Sequence, residues 1–247
     1  MADACQECGD RGLILRGDAA VPCKCVKEKA VRIRFLQAHI TPLMRECLFD
    51  RFTFKYYSRT SRDKIKGITY YDSAKRAYDA ARDFVTSFLS GKSSEGLIFV
   101  GEVGTGKTFL ACCIANAVLA SGQEVLLVNV PDFLDEIRAT YDVSSDMEHS
   151  EHELLGLAKG VPLLILDDLG AFIYTEWARQ KIYSILNHRL NHCMPVIITT
   201  NVALEELEEY LGERTTSRLF EMCRTYRIYV DHDIRAVRRE KPETGHR

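Results

Sequence analysis

Short apolar runs recur from residue 96 onward, each closed by polar or glycine-rich punctuation. They fall at 96–100, 124–130, 161–166, 195–201 and 226–230, and their length and β-branched content predict strands. Between them, apolar residues three and four apart mark single helix faces. These predict helices over 109–120, from Pro131-Asp132 to Tyr141, up to Lys159-Gly160, over 174–191, and at 203–211 and 214–223. An earlier helix starts at Asp72 or Ser73, a good N-cap, and runs to Ser90, where Gly91 stops it. The run from Val161 to Leu166 is apolar without a break, as in a central parallel strand. Strands alternating with helices give an α/β fold, a parallel sheet covered on both faces.

The N-terminal part reads differently. Val26, Ala30, Ile33, Leu36 and Ile40 form a helical stripe in a basic stretch reaching Phe49, interrupted by Thr41-Pro42. Residues 51–57 alternate like a strand or extended arm, and a polar stretch follows to Lys66. Residues 143–153 are acidic and polar and read as a loop, and the closing stretch is basic, with Arg235, Arg238, Arg239 and Lys241.

The 247 residues allow one large domain and a small appendage, and 46% apolar content is ordinary for a globular protein. No run approaches the roughly 18 apolar residues of a membrane span. The N-terminus lacks the basic and apolar regions of a signal peptide, so a cytoplasmic protein with no membrane association is expected. Residues 1–66 hold 14 Lys+Arg against 8 Asp+Glu, whereas 67–247 hold 19 against 27. Such a basic end suits nucleic acid or an acidic protein, or is simply a solvated helix.

Nine cysteines in a chain without an export signal argue against disulfides. Four cluster as Cys5-x₂-Cys8-x₁₄-Cys23-x-Cys25 with glycines between them. Thiolates so spaced can grip one tetrahedral Zn²⁺ ion, and so short a segment builds no core of its own. A closed structural site is the expectation, against a tail of unligated thiols. Cys47, Cys112, Cys113, Cys193 and Cys223 lie among apolar residues and read as small buried hydrophobes.

The sharpest chemical signal is Gly101-Glu102-Val103-Gly104-Thr105-Gly106-Lys107-Thr108, which fits G-x-x-x-x-G-K-[ST] between a predicted strand and a predicted helix. Glycines let backbone N–H groups curl around an anion, and the helix N-terminus adds partial positive charge. Lys107 would reach the β/γ-phosphates of ATP and Thr108 would ligate Mg²⁺. The alternative, a glycine turn that merely joins strand to helix, has the context against it. A second strand ends in Asp167-Asp168, at the sheet edge where ligands sit. Asp167 would hold the Mg²⁺ shell and Asp168 would orient or deprotonate the attacking water. Asn201 also ends an apolar strand, where its amide could polarise the γ-phosphate or the water. Trp177 is read either as a stacking platform for a base or as part of the core stripe beginning at Ala178. His188 and His192, four apart, read as helix-surface histidines.

Together these features resemble the AAA+ ATPases, and more narrowly the replicative-helicase loaders of the DnaC/DnaI type and their IstB-like relatives. The resemblance is carried by Gly101 to Thr108 (Walker A), Leu163 to Gly170 (Walker B) and Ile198-Thr199-Thr200-Asn201 (sensor 1). It extends to Leu211-Gly212-Glu213-Arg214-Thr215-Thr216-Ser217-Arg218-Leu219, similar to the family's arginine box. It implies an AAA+ ATPase domain over 48–247 and an N-terminal zinc-binding and basic helical module over 1–47. It also implies Arg218 as an arginine finger reaching a neighbouring subunit, Arg214 in support, and Arg235 as a sensor-2 arginine. Many relatives carry Asp-Glu in Walker B, so the shorter Asp168 suggests slow turnover. The chain beyond Val230 is too short for a full helical lid. The implied partners are a replicative helicase, single-stranded DNA and further copies of the chain assembled with ATP. Alternatives are an IstB-like helper of a transposase on duplex DNA, or a regulatory protein that holds nucleotide without hydrolysing it.

Overall fold

The computed structural model describes residues 5, 8, 13–16, 19–23, 38–64, 67–92, 95–141 and 150–240. A short antiparallel hairpin, β1 (Leu13–Arg16) and β2 (Ala19–Pro22), lies near the N-terminus. The main body is a five-stranded sheet of β3 (Gly96–Val100), β4 (Val125–Asn129), β5 (Leu163–Asp167), β6 (Val196–Thr200) and β7 (Cys223–Arg227). Its order is β4-β5-β6-β3-β7 and every pairing is parallel, as the alternation of strands and helices predicts. Because β3 sits beside β6, the loop after β3 opens next to the ends of β6 and β5.

Alternate residues feed two cores, as the period of a strand requires. Ile98, Val128, Leu164 and Ile198 face one, while Phe99, Leu127, Ile165 and Ile197 face the other. The first is covered by α4 (Val130–Ala139), α5 (Glu151–Gly160), α6 (Glu176–Asn191), α7 (Leu207–Leu211) and α8 (Glu213–Met222). The second is covered by α2 (Tyr70–Leu89), α3 (Lys107–Ala120) and the segment around α1 (Pro42–Arg45). Helix starts follow side-chain caps: Thr69 accepts from the Asp72 N–H, Asn129 from Asp132, Thr175 from Ala178, and Ser150 forms a capping box with Glu153. After β7 comes α9 (Ile234–Glu240). Among the described residues no helix is long and apolar enough to cross a membrane.

Three expectations are corrected. The last strand is Cys223–Arg227 rather than 226–230, starting directly where α8 ends. Arg224 to Arg227 are exposed or half-buried and need not be apolar, so hydropathy is a poor guide to the limits of this strand. Residues 51–57 are not a strand but lie in and between two 3₁₀ turns, Phe49–Arg51 and Phe54–Tyr56. Their aromatic rings gather on Tyr78, with Phe52 and Phe54 each 5.3 Å from it, and that packing overrides the alternation. Cys193 is exposed, not buried, because it follows the end of α6 with a φ of 52°; Cys47 is half-buried, and Cys112, Cys113 and Cys223 are buried. The predicted helix over 26–40 falls at 26–37 outside the described residues.

Arg189 on α6 is fully buried and ties the end of α5 to the starts of β5 and β6. It donates to the carbonyls of Ala158, Val161, Pro162 and Pro195 at 3.0, 2.9, 3.2 and 2.6 Å. Burial pushes its pKa down to about 10, which still leaves it charged at neutral pH. Arg189→Met would orphan these acceptors and is expected to destabilise the fold by about 3 kcal/mol or more. Chemical denaturation checks this; a loss under about 1 kcal/mol contradicts this role.

Candidate functional site

The loop between β3 and α3 turns on glycine. Gly104 and Gly106 have φ of 77° and 91°, a region that residues with a Cβ rarely adopt. Space is equally restrictive, since a Cβ on Gly104 would lie 2.0 Å from the Asp233 carboxylate and one on Gly101 2.2 Å from the Ile228 carbonyl oxygen. α3 starts at Lys107, so its first N–H groups point into this cradle. Lys107 is only 6% exposed, and its ammonium donates to the Gly101 and Glu102 carbonyls, both at 2.8 Å. Burial lowers its pKa; the nearby Asp168 and Asp167 charges oppose that effect and Arg235 adds to it. A buried cation beside a glycine cradle and a helix N-terminus is suited to a polyphosphate.

Asp167 closes β5 and is 4% exposed. Two hydroxyls donate to its Oδ1: Thr108 Oγ1 from the loop helix at 2.9 Å and Thr199 Oγ1 from β6 at 2.6 Å. Burial, with the Asp168 charge, raises the Asp167 pKa against those hydrogen bonds. Thr108 and Asp167 thus offer adjoining hard oxygens, the donors that magnesium takes. The Thr199 hydroxyl also accepts the Asp168 N–H at 3.0 Å, and the Asp168 carboxylate receives Asn129 Nδ2 at 3.4 Å. Asp168 has a φ of 57°, in the left-handed region that Asp adopts more readily than most residues with a Cβ.

Asn201 lines a cleft of about 490 Å³ with Glu102, Val103, Val230, Asp231, His232 and Asp233. Arg235 is exposed at the start of α9, which is pinned to the loop by the Ile234 N–H donating to the Gly104 carbonyl at 3.2 Å, while Asp233 Oδ1 accepts the Arg235 N–H at 2.7 Å. The structure therefore gathers Glu102, Val103, Thr105, Lys107, Thr108, Asp167, Asp168, Asn201 and the backbone of Arg235 around one cradle. Arg218 lies elsewhere. Half-buried on α8, with its guanidinium 5.7 Å from the Tyr183 ring, it lines a cavity of about 430 Å³ with Glu213, Arg214 and Ser217. That cavity shares no residue with the cleft at the loop.

Trp177 is half-buried at the edge of the first core, so neither reading of it holds whole. Its Nε1 donates to the Tyr141 hydroxyl at 3.3 Å, and Arg138 and Lys181 lie 5.3 and 5.8 Å from its ring centre. Near the N-terminus the sulfurs of Cys5, Cys8 and Cys23 lie within 4.8 Å of one another, with Cys5 and Cys23 3.8 Å apart. Ligands about 2.3 Å from a tetrahedral zinc are separated by nearly that distance. Cys25 lies outside the described residues.

Sequence reasoning missed Thr199, Asn129, Asp233 and Tyr57. Paired threonines closing an otherwise apolar strand were a usable sign for Thr199. Asn129 was hidden within the strand predicted over 124–130; it ends β4 and caps α4. Asp233 and Tyr57 carry no sign, because only the fold brings them to the loop.

The model for IstB-like ATP binding proteins matches residues 79–223. The replicative helicase loader DnaI of Bacillus subtilis is 31% identical over 129 residues, covering 52% of this chain and 40% of DnaI. The replicative helicase loader DnaC of Escherichia coli is 29% identical over 185 residues, covering 75% of this chain and 67% of DnaC. A crystal structure of the DnaC helicase loader aligns with a TM-score of 0.60 at 26% identity, over 76% of this chain and 100% of that one. The chain thus spans two fifths of DnaI and two thirds of DnaC. With the matched region running from α2 to the start of β7 and holding the cradle and both aspartates, the chain belongs to the IstB-like ATP-binding protein family.

Proposed function

We propose that this protein is an ATP-dependent helicase loader, which binds a replicative helicase and helps place it on single-stranded DNA in the cytoplasm. The observation that carries its nucleotide chemistry is the meeting of Thr108, Asp167 and Thr199 beside the Lys107 cradle. The helicase as partner is supported by the DnaC and DnaI relatives.

In this reading Lys107 exchanges its two loop carbonyls for the β/γ-phosphates, aided by the backbone N–H groups of the loop and α3. Thr108 and Asp167 hold magnesium, which when bound neutralises charge developing on the phosphate oxygens. Asp168, positioned by Thr199 through its backbone and by Asn129 at its carboxylate, takes a proton from the attacking water or orients it. Asn201 contributes its amide to the γ-phosphate or that water, and Arg235 reports the nucleotide state through α9. Arg218 acts in trans, at a neighbour's nucleotide, which gives the cycle its dependence on assembly. Cys5, Cys8, Cys23 and Cys25 hold a structural zinc in an N-terminal module spanning 1–47 that engages the helicase.

Lys107→Ala is expected to abolish tight Mg-ATP binding, whereas Asp168→Asn should bind normally and fail to release phosphate. Normal hydrolysis by both variants would refute the site. A finger in trans is worth on the order of 10³–10⁵ in rate. Arg218→Ala should therefore bind ATP yet hydrolyse it poorly, and mixing it with Lys107→Ala should restore activity that neither shows alone. Co-assembly without recovery would remove Arg218 from the active interface. Metal analysis should find about one zinc per chain, lost when Cys5 and Cys8 are both changed to serine. Metal-free protein that still binds helicase would end that assignment. Affinity capture from native extract should recover a hexameric helicase; a transposase in its place would contradict the loader.

A further inference from the structure

Tyr57 touches the back of the phosphate loop from 48 residues upstream. Only 5% exposed, it donates its hydroxyl to the Thr105 carbonyl at 3.0 Å. Its ring stacks on Phe52 with centroids 5.7 Å apart and planes 17° from parallel. A Cβ on Gly106 would come within 2.8 Å of that oxygen, so loop and tyrosine are fitted to each other. Burial holds the phenol pKa well above its usual value, and the group stays a donor at any physiological pH.

The peptide plane turns this contact into chemistry. In a trans peptide the C=O of one residue and the N–H of the next point in opposite directions. Fixing the Thr105 carbonyl on Tyr57 therefore turns the Gly106 N–H away from Tyr57, toward the concave side of the loop where an anion is cradled. Gly106, at a φ of 91°, has the freedom to hold that peptide the other way up. A loop with the peptide reversed would present a carbonyl to the phosphates.

We infer that Tyr57 is a positioning residue for the nucleotide site, its hydroxyl holding the Thr105–Gly106 peptide so that the Gly106 N–H faces the bound phosphates. The inference rests on the ATP reading above and deepens it. Tyr57 also ends a segment strapped along the ATPase body. The Leu127 N–H donates to the Ala38 carbonyl at 3.1 Å, and Asn116 Nδ2 donates to the Met44 and Cys47 carbonyls at 2.9 and 2.8 Å. The hydroxyl at the loop is thus one of several anchors of the chain leading out of the cysteine-bearing N-terminal part.

Calorimetric titration of the full-length protein with Mg-ATP and Mg-ADP, alongside apo thermal melting, tests this. Tyr57→Phe keeps the stacked ring and should weaken both nucleotides about threefold to tenfold, the scale of one lost hydrogen bond. A Phe52→Leu variant disturbs the same aromatic cluster but spares the hydroxyl, so it should lower the melting temperature while leaving both affinities near wild type. Unchanged affinities in Tyr57→Phe overturn the inference, as does a loss in Phe52→Leu equal to that in Tyr57→Phe. Wild-type protein that binds no Mg-ATP would instead overturn the nucleotide reading itself.

Discussion

A buried carboxylate at the end of β5 sets the terms for the site. Asp167 is almost wholly out of water, where a charge is costly unless polar groups compensate for it. Thr108 and Thr199 reach it from two other elements, and each hydroxyl arrives only if its own backbone is correctly placed. α3 must begin at Lys107, and β6 must pair in register with β5, with Ile165 opposite Ile197 and Leu166 opposite Ile198. The opposing pulls on Asp167, burial against hydroxyls, leave it short of full compensation. A cation bound beside it would offset the cost of that buried charge.

Thr199 does a second task by accepting the Asp168 N–H, so one side chain on β6 fixes both acidic residues. The next residues along that strand lead to Asn201 at the cleft. Asp167, Asp168 and Asn201 are thus tied together through β5 and β6, which pair as neighbours in the sheet. Arg218 stands outside this group on α8.

Much of this was legible in the residues. The apolar runs located four of the five sheet strands to within two residues, because those strands are buried on both faces and must be apolar. β7 was displaced because its residues beyond Cys223 are exposed or half-buried and need not be apolar. Loop and aspartates were legible because phosphate and magnesium chemistry constrains residue type and spacing together. Tyr57 and Asp233 were not, since each acts through a long-range contact that leaves no periodic trace. Residues 51–57 misled for a related reason: aromatic alternation suits a strand and suits equally a cluster gathered around Tyr78.

The central claim is that Thr108 and Asp167 form the seat of a nucleotide-bound magnesium ion. Phosphate release measured over a magnesium titration at fixed ATP, for wild type and Asp167→Asn, tests it most directly. The account predicts that wild-type activity rises and saturates with magnesium. Asp167→Asn should need far more metal or fail, while its metal-free thermal stability equals or exceeds that of wild type. The same magnesium dependence in both proteins would contradict it.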